Sequence, residues 1–365
     1  MPPEVYVAAG GGGDALGAAM LHRTFGYSEP PVIVSYAWER LLYDPLPGPR
    51  SASDFDRLAE PIPGLYEFTP ETVTKPPARS PLPALIGLLG VRMFLLDPTG
   101  GQVALARQLR SLIEMVRPTQ IRLVDVGGDI LSAGTEPGLR SPLADTLAAS
   151  ACIGSQVPVR VVVAGPALDG ELTRAEFKKR LATLRGRFLG KICQEAAESA
   201  RPSFDIHPSE ASRLLAAAAL GYRGTVAIRE QGVGILLDDQ SADCFEFTLE
   251  ALTTGSRLIR ALVGATSLEE ASEITRLIVG RSELDYERAK AKRPPPKTST
   301  QRGTLEDTVS NVLRSASLHG ADFITPRRVA ELAGLRGDAA SNFMAKLPSG
   351  DGTPLLLRTA ETLDP

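Results

Sequence analysis

The residues best suited to chemistry in this sequence are carboxylates placed beside glycines, and they recur in four short stretches. The first is Val5-Tyr-Val-Ala-Ala-Gly-Gly-Gly-Gly-Asp-Ala-Leu-Gly17. Gly10, Gly11, Gly12 and Gly13 follow an apolar run and open a helix-like segment, with Asp14 next and Gly17 a turn later. Glycines let backbone N–H groups approach a ligand, and a helix N-terminus adds positive potential, so the loop suits an anionic cofactor or substrate. The spacing Gly11-x-Gly13-x-x-x-Gly17 is close to a dinucleotide fingerprint without matching it. It is no P-loop, because no Gly-Lys-Ser or Gly-Lys-Thr follows. Gly17 would permit tight helix–strand packing. Asp14 would act as a cap, a metal ligand or an acceptor for a ribose or an amine.

The second stretch, Trp38–Arg50, places Glu39 just past a second apolar run, where a dinucleotide-binding domain keeps its ribose-binding acid. It lies further from the glycines than the usual spacing of about 20 residues. Trp38, Arg40 and Arg50 are candidate substrate contacts, since arginine clamps phosphate or carboxylate. A proline-stiffened loop with surface charges is the competing reading. The third stretch holds Asp125, Gly127, Gly128 and Asp129, followed by Glu136, Arg140, Ser141 and Asp145. Asp125, Asp129, Glu136 and Asp145 are the candidate catalytic acids. Clustered carboxylates hold Mg²⁺ or Ca²⁺, or divide acid and base roles between them. Asp14, Asp125 and Asp129 form the candidate metal set. Gly127, Gly128, Arg140 and Ser141 are candidate substrate contacts, against capping and turn chemistry. The fourth stretch, Ala164–Thr173, adds Asp169 as a substrate contact and Glu171 to the acidic group, or else begins a helix capped by Thr173.

Each stretch follows a buried strand. Glu4–Ala9, Pro31–Ala37, Val91–Leu96, Ile121–Val126 and Val159–Ala164 are continuously apolar, and helical segments such as Gln102–Val116 alternate with them. That alternation predicts an α/β fold, a Rossmann-like three-layer sandwich with a mostly parallel sheet. Ligands of such sheets bind at the carboxyl ends of the strands, so the four stretches are expected to converge on one edge. The proline-rich segment Arg50–Pro83 interrupts the pattern as a lid or an excursion. Thr173–Glu198 and Ser267–Lys290 each read as one helix, and Gly224–Arg229, Gly234–Asp238 and Cys244–Leu249 as short strands.

Domain boundaries follow from composition. Residues 1–290 form the ligand-binding or catalytic domain, 291–303 a proline- and lysine-rich linker, and 304–365 a small helical module. The module reads helix (Leu305–Ser317), helix (Pro326–Ala333), helix (Asp338–Leu347) and strand (Pro354–Arg358), an order resembling a winged helix. Thr304–Pro365 carries six Lys and Arg against eight Asp and Glu. That balance argues against DNA, which requires a basic face.

The chain has 365 residues, 43% hydrophobic and 23% charged, with a net charge of −3. These values fit a globular core and exclude global disorder and a polyanion-binding chain. Three scattered cysteines argue against a disulfide framework, and three unpaired histidines against a histidine-built zinc site. No signal-peptide pattern or membrane-spanning apolar run is found, so a cytoplasmic protein without a membrane partner is expected. A homo-oligomer stays open.

The stretches Gly10–Gly17, Trp38–Arg50, Asp125–Asp129, Glu136–Asp145 and Gly165–Leu172 together resemble a family of conserved archaeal and actinobacterial proteins, domain of unknown function 1152. The resemblance covers most of residues 1–290 and implies that the C-terminal module is an addition outside it. The expected function is an enzyme acting on a phosphorylated or nucleotide-like small molecule, by carboxylate- or metal-assisted hydrolysis or transfer. Two alternatives stand beside it. One is a nicotinamide- or flavin-dependent oxidoreductase using Gly11, Gly13, Gly17 and Glu39. The other is a metabolite-sensing regulator whose C-terminal module binds DNA or protein.

Overall fold

Side chains of a strand alternate between faces, and here both faces are buried. In β1 (Val5–Ala8), Tyr6 and Ala8 enter one apolar layer while Val5 and Val7 enter the other. The same division runs through β2 (Val32–Ser35), with Ile33 on one side and Val32 and Val34 on the other. A sheet covered on both faces has no polar side to reveal it, which is why these strands are continuously apolar.

The computed structural model describes residues 3–26, 30–228, 233–292, 304–345 and 354–359. After β1 come α1 (Gly12–Phe25), β2, β3 (Phe55–Asp56), β4 (Ala59–Ile62), β5 (Leu65–Glu67), β6 (Val73–Thr74), α2 (Leu82–Leu89), β7 (Arg92–Leu95), α3 (Gly101–Val116) and β8 (Ile121–Val126). The chain continues through α4 (Pro142–Ala151), β9 (Val159–Ala164), α5 (Arg174–Thr183), β10 (Arg187–Lys191), α6 (Gln194–Ala200), α7 (Glu210–Ala219), β11 (Gly224–Ile228), β12 (Val233–Leu237) and β13 (Asp243–Thr248). It ends with α8 (Leu249–Gly255), α9 (Arg257–Ala261), α10 (Leu268–Val279), α11 (Glu283–Ala291), α12 (Leu305–Leu318), β14 (Phe323–Ile324), α13 (Pro326–Leu332), α14 (Asp338–Ala345) and β15 (Leu357–Arg358).

The main sheet has nine strands in the order β10-β13-β9-β8-β1-β2-β7-β5-β4. Its centre, from β9 to β7, is parallel, and the strands added at both edges are antiparallel. Helices α1, α6 and α7 pack together on one face, and α3, α4, α9 and α10 on the other. From β1 the chain passes to β2 and then β7 on one side, and β8 and β9 lie on the other side of β1. Connections therefore diverge between β1 and β8. A crevice opens at such a switch point, beyond the carboxyl ends of the two strands.

Two expected helices are broken. Thr173–Glu198 contains β10, which pairs with β13, and the turn before it carries Arg185 at φ 53° and Gly186 against Phe247. Ser267–Lys290 divides at Gly280, which is left-handed at φ 83°, into α10 and α11. The excursion Arg50–Pro83 is ordered: β4 and β5 extend the main sheet, and β3 pairs with β6. Residues 293–303 of the expected linker lie outside the described residues, as do the last two positions of the helix expected over Asp338–Leu347.

A second sheet runs β12-β11-β14-β15. Its β11–β12 hairpin precedes the linker and its other two strands follow it, with β14 parallel to β11. Residues 304–345 thereby dock on the larger domain. Among the described residues, no helix is long and apolar enough to cross a membrane.

Candidate functional site

The crevice is built by the ends of β1 and β8 and the starts of α1 and α4. Gly11 makes the turn out of β1 at φ 113°, a left-handed conformation that favours glycine. Helix α1 then starts close against the sheet: a Cβ on Gly17 would sit 2.2 Å from Val126 Cγ2. That proximity brings Asp14, in the first turn of α1, beside Asp125 at the end of β8. Helix α4 starts with Pro142, a residue preorganised for a first turn, and is buried along its whole length. Asp145 projects from it into the same crevice.

Asp14, Asp125 and Asp145 each offer an oxygen, and these atoms lie within 4.8 Å of one another. All three residues are at least nine-tenths buried. Asp14 Oδ2 accepts the Gly10 amide at 2.8 Å and Asp125 Oδ2 accepts the Ile130 amide at 3.2 Å. Asp145 Oδ1 has no hydrogen-bond partner and lies 2.9 Å from the position a Gly10 Cβ would take. Burial pushes the Asp14 carboxyl up to about 7. Burial, and then the charges of Asp14 and Asp169, lift Asp125 well above the usual carboxylate range. Burial, then Asp125 and Asp14, do the same to Asp145, and Asp129 is raised by burial and by Asp145, Glu171 and Asp125. Like charges this close cannot all be ionised without a compensating cation.

The surrounding cavity encloses about 210 Å³. Eleven acidic residues line it, against five Lys and Arg. The Arg40 charge acts on Asp14, and its Nη1 lies 3.6 Å from Glu287 Oε1. Desolvation opposes the Arg40 charge and is outweighed by Glu287, Glu283, Glu171 and Asp129, which raise its pKa. A bare anion would meet a repulsive floor here, whereas a cation would be attracted.

Beside the carboxylates stands a second pair. His207 Nε2 is 3.4 Å from Glu39 Oε2, and both side chains are buried. His207 Nδ1 accepts the Ser209 amide at 3.0 Å, so the neutral ring carries its proton on Nε2, toward Glu39. Glu39 Oε1 has no hydrogen-bond partner, and a Cβ on Gly12 would lie 2.4 Å from it.

Of the residues expected from sequence, Gly10, Gly12, Gly13, Asp14, Trp38, Glu39, Arg40, Asp125, Asp129, Arg140, Ser141, Asp145 and Asp169 line this cavity. Six do not. Gly11 and Gly17 serve the turn and the helix packing just described. Glu136 accepts the amides of Ala133, Gly134 and Thr135. Arg50 pairs with Asp44 at 3.1 Å and donates to the Pro47 and Gly48 carbonyls, stapling its own loop. Gly127 and Gly128 have left-handed φ of 125° and 109°. A Cβ on Gly127 would strike Asp169, and one on Gly128 would crowd Phe177, so both glycines make room for neighbours.

Sequence reasoning missed His207, Glu283 and Glu287. The i, i+4 spacing of the two glutamates in a helical segment was a usable signal. Glu283 accepts the Leu143 amide at 3.2 Å, and burial pushes it up to about 8. Glu287 accepts Trp38 Nε1 and the Gly48 amide, each at 2.9 Å. Glu171 fixes the start of α4 by accepting the Arg140 and Ser141 amides at 2.7 and 3.0 Å, and the Ser141 hydroxyl.

Residues 5–291 match the family described as "Protein of unknown function (DUF1152)", and the chain belongs to it. Neither a curated protein nor a solved structure matches the chain.

Proposed function

We propose that this member of the DUF1152 family is a divalent-cation-dependent hydrolase or transferase acting on a phosphorylated or nucleotide-like small molecule. One observation carries the reading: three buried carboxylates within 4.8 Å of one another, one oxygen of them without a hydrogen-bond partner. An all-oxygen aspartate set suits a hard cation such as Mg²⁺ or Ca²⁺. Asp14, Asp125 and Asp145 would hold it, in place of the Asp14, Asp125 and Asp129 set expected from sequence. Bound there, such an ion polarises a phosphoryl or glycosidic oxygen and lowers the pKa of water.

The remaining residues take supporting roles. Glu39, oriented by His207, accepts a proton from a hydroxyl or a water near Gly12. The amides of Gly12 and Gly13 receive the substrate's anionic edge. The switch-point crevice supports a Rossmann-like reading of the parallel core. A nicotinamide or flavin is less well served, because Asp14 already takes the Gly10 amide and Glu39 faces His207. We read residues 304–345 and 354–359 as winged-helix-like but not as a DNA reader: Arg327 and Glu331 of α13 line the cavity. Free Cys152, Cys193 and Cys244 agree with a reducing, cytoplasmic setting.

Calorimetric titration of the full chain with Mn²⁺, Mg²⁺ and Ca²⁺ tests the reading, together with cation-dependent phosphate release from a panel of nucleotides and sugar phosphates. The expected result is one strong cation site, lost in Asp125→Asn and Asp145→Asn. Absence of cation binding by the intact chain at millimolar concentration would overturn it.

A further inference from the structure

The acidic floor leaves a question of charge. A phosphate group can approach it as a metal complex, but its remaining negative charge then needs a protein cation not already neutralised. Arg40 is committed to Glu287 and the glutamates around it. Arg327 is held between Glu331 at 3.1 Å and Glu210 at 3.8 Å. Arg336 differs. It lines the cavity, is half-buried, and has no hydrogen-bond or ion-pair partner among the described residues.

The loop carrying Arg336 is fixed on both sides. Before it, Gly334 is left-handed at φ 70° and the Leu335 amide closes α13 on the Ala330 carbonyl at 2.9 Å. After it, the Gly337 amide donates to the Leu42 carbonyl at 2.7 Å. Asp338 then receives both Nη atoms of Arg79, at 2.6 and 2.8 Å. Beneath, Leu42 packs with Ile324, Val329, Phe343 and Met344 in one apolar cluster. A guanidinium held at a cavity wall by such anchors, and left unpaired, is preorganised for a ligand. Its planar fork of donors matches the oxygens of a phosphate.

We propose that the C-terminal module, which lies beyond the family-matched residues, forms a wall of the site, and that Arg336 binds the phosphate or diphosphate group of a substrate presented to the cation. The inference rests on the proposed cation-dependent reading and adds to it the segment that recognises the anion. The cavity is then bipolar. Its floor takes the metal and its C-terminal wall takes the charge left on the phosphate.

The test uses the full chain and four titrations: Mn²⁺ alone, pyrophosphate alone, pyrophosphate in saturating Mn²⁺, and adenosine diphosphate in saturating Mn²⁺. Arg336→Ala should bind Mn²⁺ as the parent does and bind the Mn²⁺ complexes about tenfold or more weakly. Arg336→Lys should recover part of that loss, because it restores charge without the fork. Asp338→Asn, which frees Arg79 and loosens the loop, should weaken pyrophosphate binding by a smaller factor. It also keeps the test alive if Arg336→Ala fails to fold. Tighter binding of adenosine diphosphate than of pyrophosphate assigns the group to a nucleotide, and the reverse order assigns it to a simpler phosphate. Equal affinity of the parent and Arg336→Ala for both complexes would overturn the proposal and leave the metal reading intact. If the parent binds no Mn²⁺, the metal reading fails separately. Pyrophosphate alone then decides the role of Arg336, upheld by a loss in Arg336→Ala and overturned by none.

Discussion

The two ends of β1 and β8 carry similar residues in opposite electrical states. At the amino ends, Glu4 Oε1 accepts Arg122 Nη1 at 2.7 Å, and Glu4 Oε2 lies 3.2 Å from His22 Nδ1. The Tyr6 hydroxyl accepts the same Arg122 Nη1 at 2.7 Å and meets His22 Nδ1 at 3.2 Å. The carboxylate there is answered within its own cluster. At the carboxyl ends, Asp14, Asp125 and Asp145 face one another, and Asp145 Oδ1 is left without a partner. The amino-end cluster is half-buried and the carboxyl-end cluster fully buried, so desolvation weighs more heavily on the aspartates. Compensation separates them further: the amino-end carboxylate meets its cation within the cluster, whereas the carboxyl-end group is where we propose that an external cation binds.

Replacing a floor carboxylate is the sharpest attack on this contrast. Asp125→Asn should weaken Mn²⁺ or Mg²⁺ binding by roughly 100-fold or more, read by calorimetry. The same variant without cation should melt a few degrees higher, because one buried carboxyl that is costly to ionise is gone. Unchanged cation affinity would erase the distinction between the two ends.

The next largest effect is a pH dependence of the cation-free protein. Burial raises Asp14 to about 7 and Glu283 to about 8 in the folded chain, from ordinary values near 4. The folded state therefore binds more protons than the unfolded state across this interval, and stability falls as pH rises through it. In a chelator, the thermal midpoint should drop by about 10 °C from pH 5 to pH 8, with Mg²⁺ flattening the slope. A midpoint that climbs over this range would contradict the uncompensated floor.

Removing compensation at the other end should have a purely structural effect. Arg122→Ala takes the guanidinium away from Glu4 and the Tyr6 hydroxyl and should cost about 2 kcal/mol in urea unfolding, with cation affinity unchanged. The smallest effect is expected for Glu136→Gln. It weakens the three amide contacts of its own turn and should cost about 1 kcal/mol. It too should leave cation binding untouched, which distinguishes this acid from those on the floor.

Much of the parallel core was legible because two-sided burial leaves an unmistakable apolar run, as in Val159–Ala164. The edge strand β10 was not. Arg187–Lys191 is largely exposed, and its identity comes from backbone pairing with β13, which no side-chain pattern announces. The glycine loop and Asp125 could be found because they end apolar runs. His207 could not, because its meaning depends on Glu39, a residue far away in sequence.

The sequence by itself determined local facts: where strands end, where glycine permits a tight turn, and which acids stand at those turns. Only the tertiary structure decided which acids share a cavity, since that depends on β8 lying beside β1 and on α4, α11 and α13 arriving from distant parts of the chain. The physical reason is that backbone conformation is governed by near neighbours in sequence. The field at a carboxylate is set instead by whatever charge lies within a few ångströms in space, and its spatial neighbours need not be its neighbours in the chain.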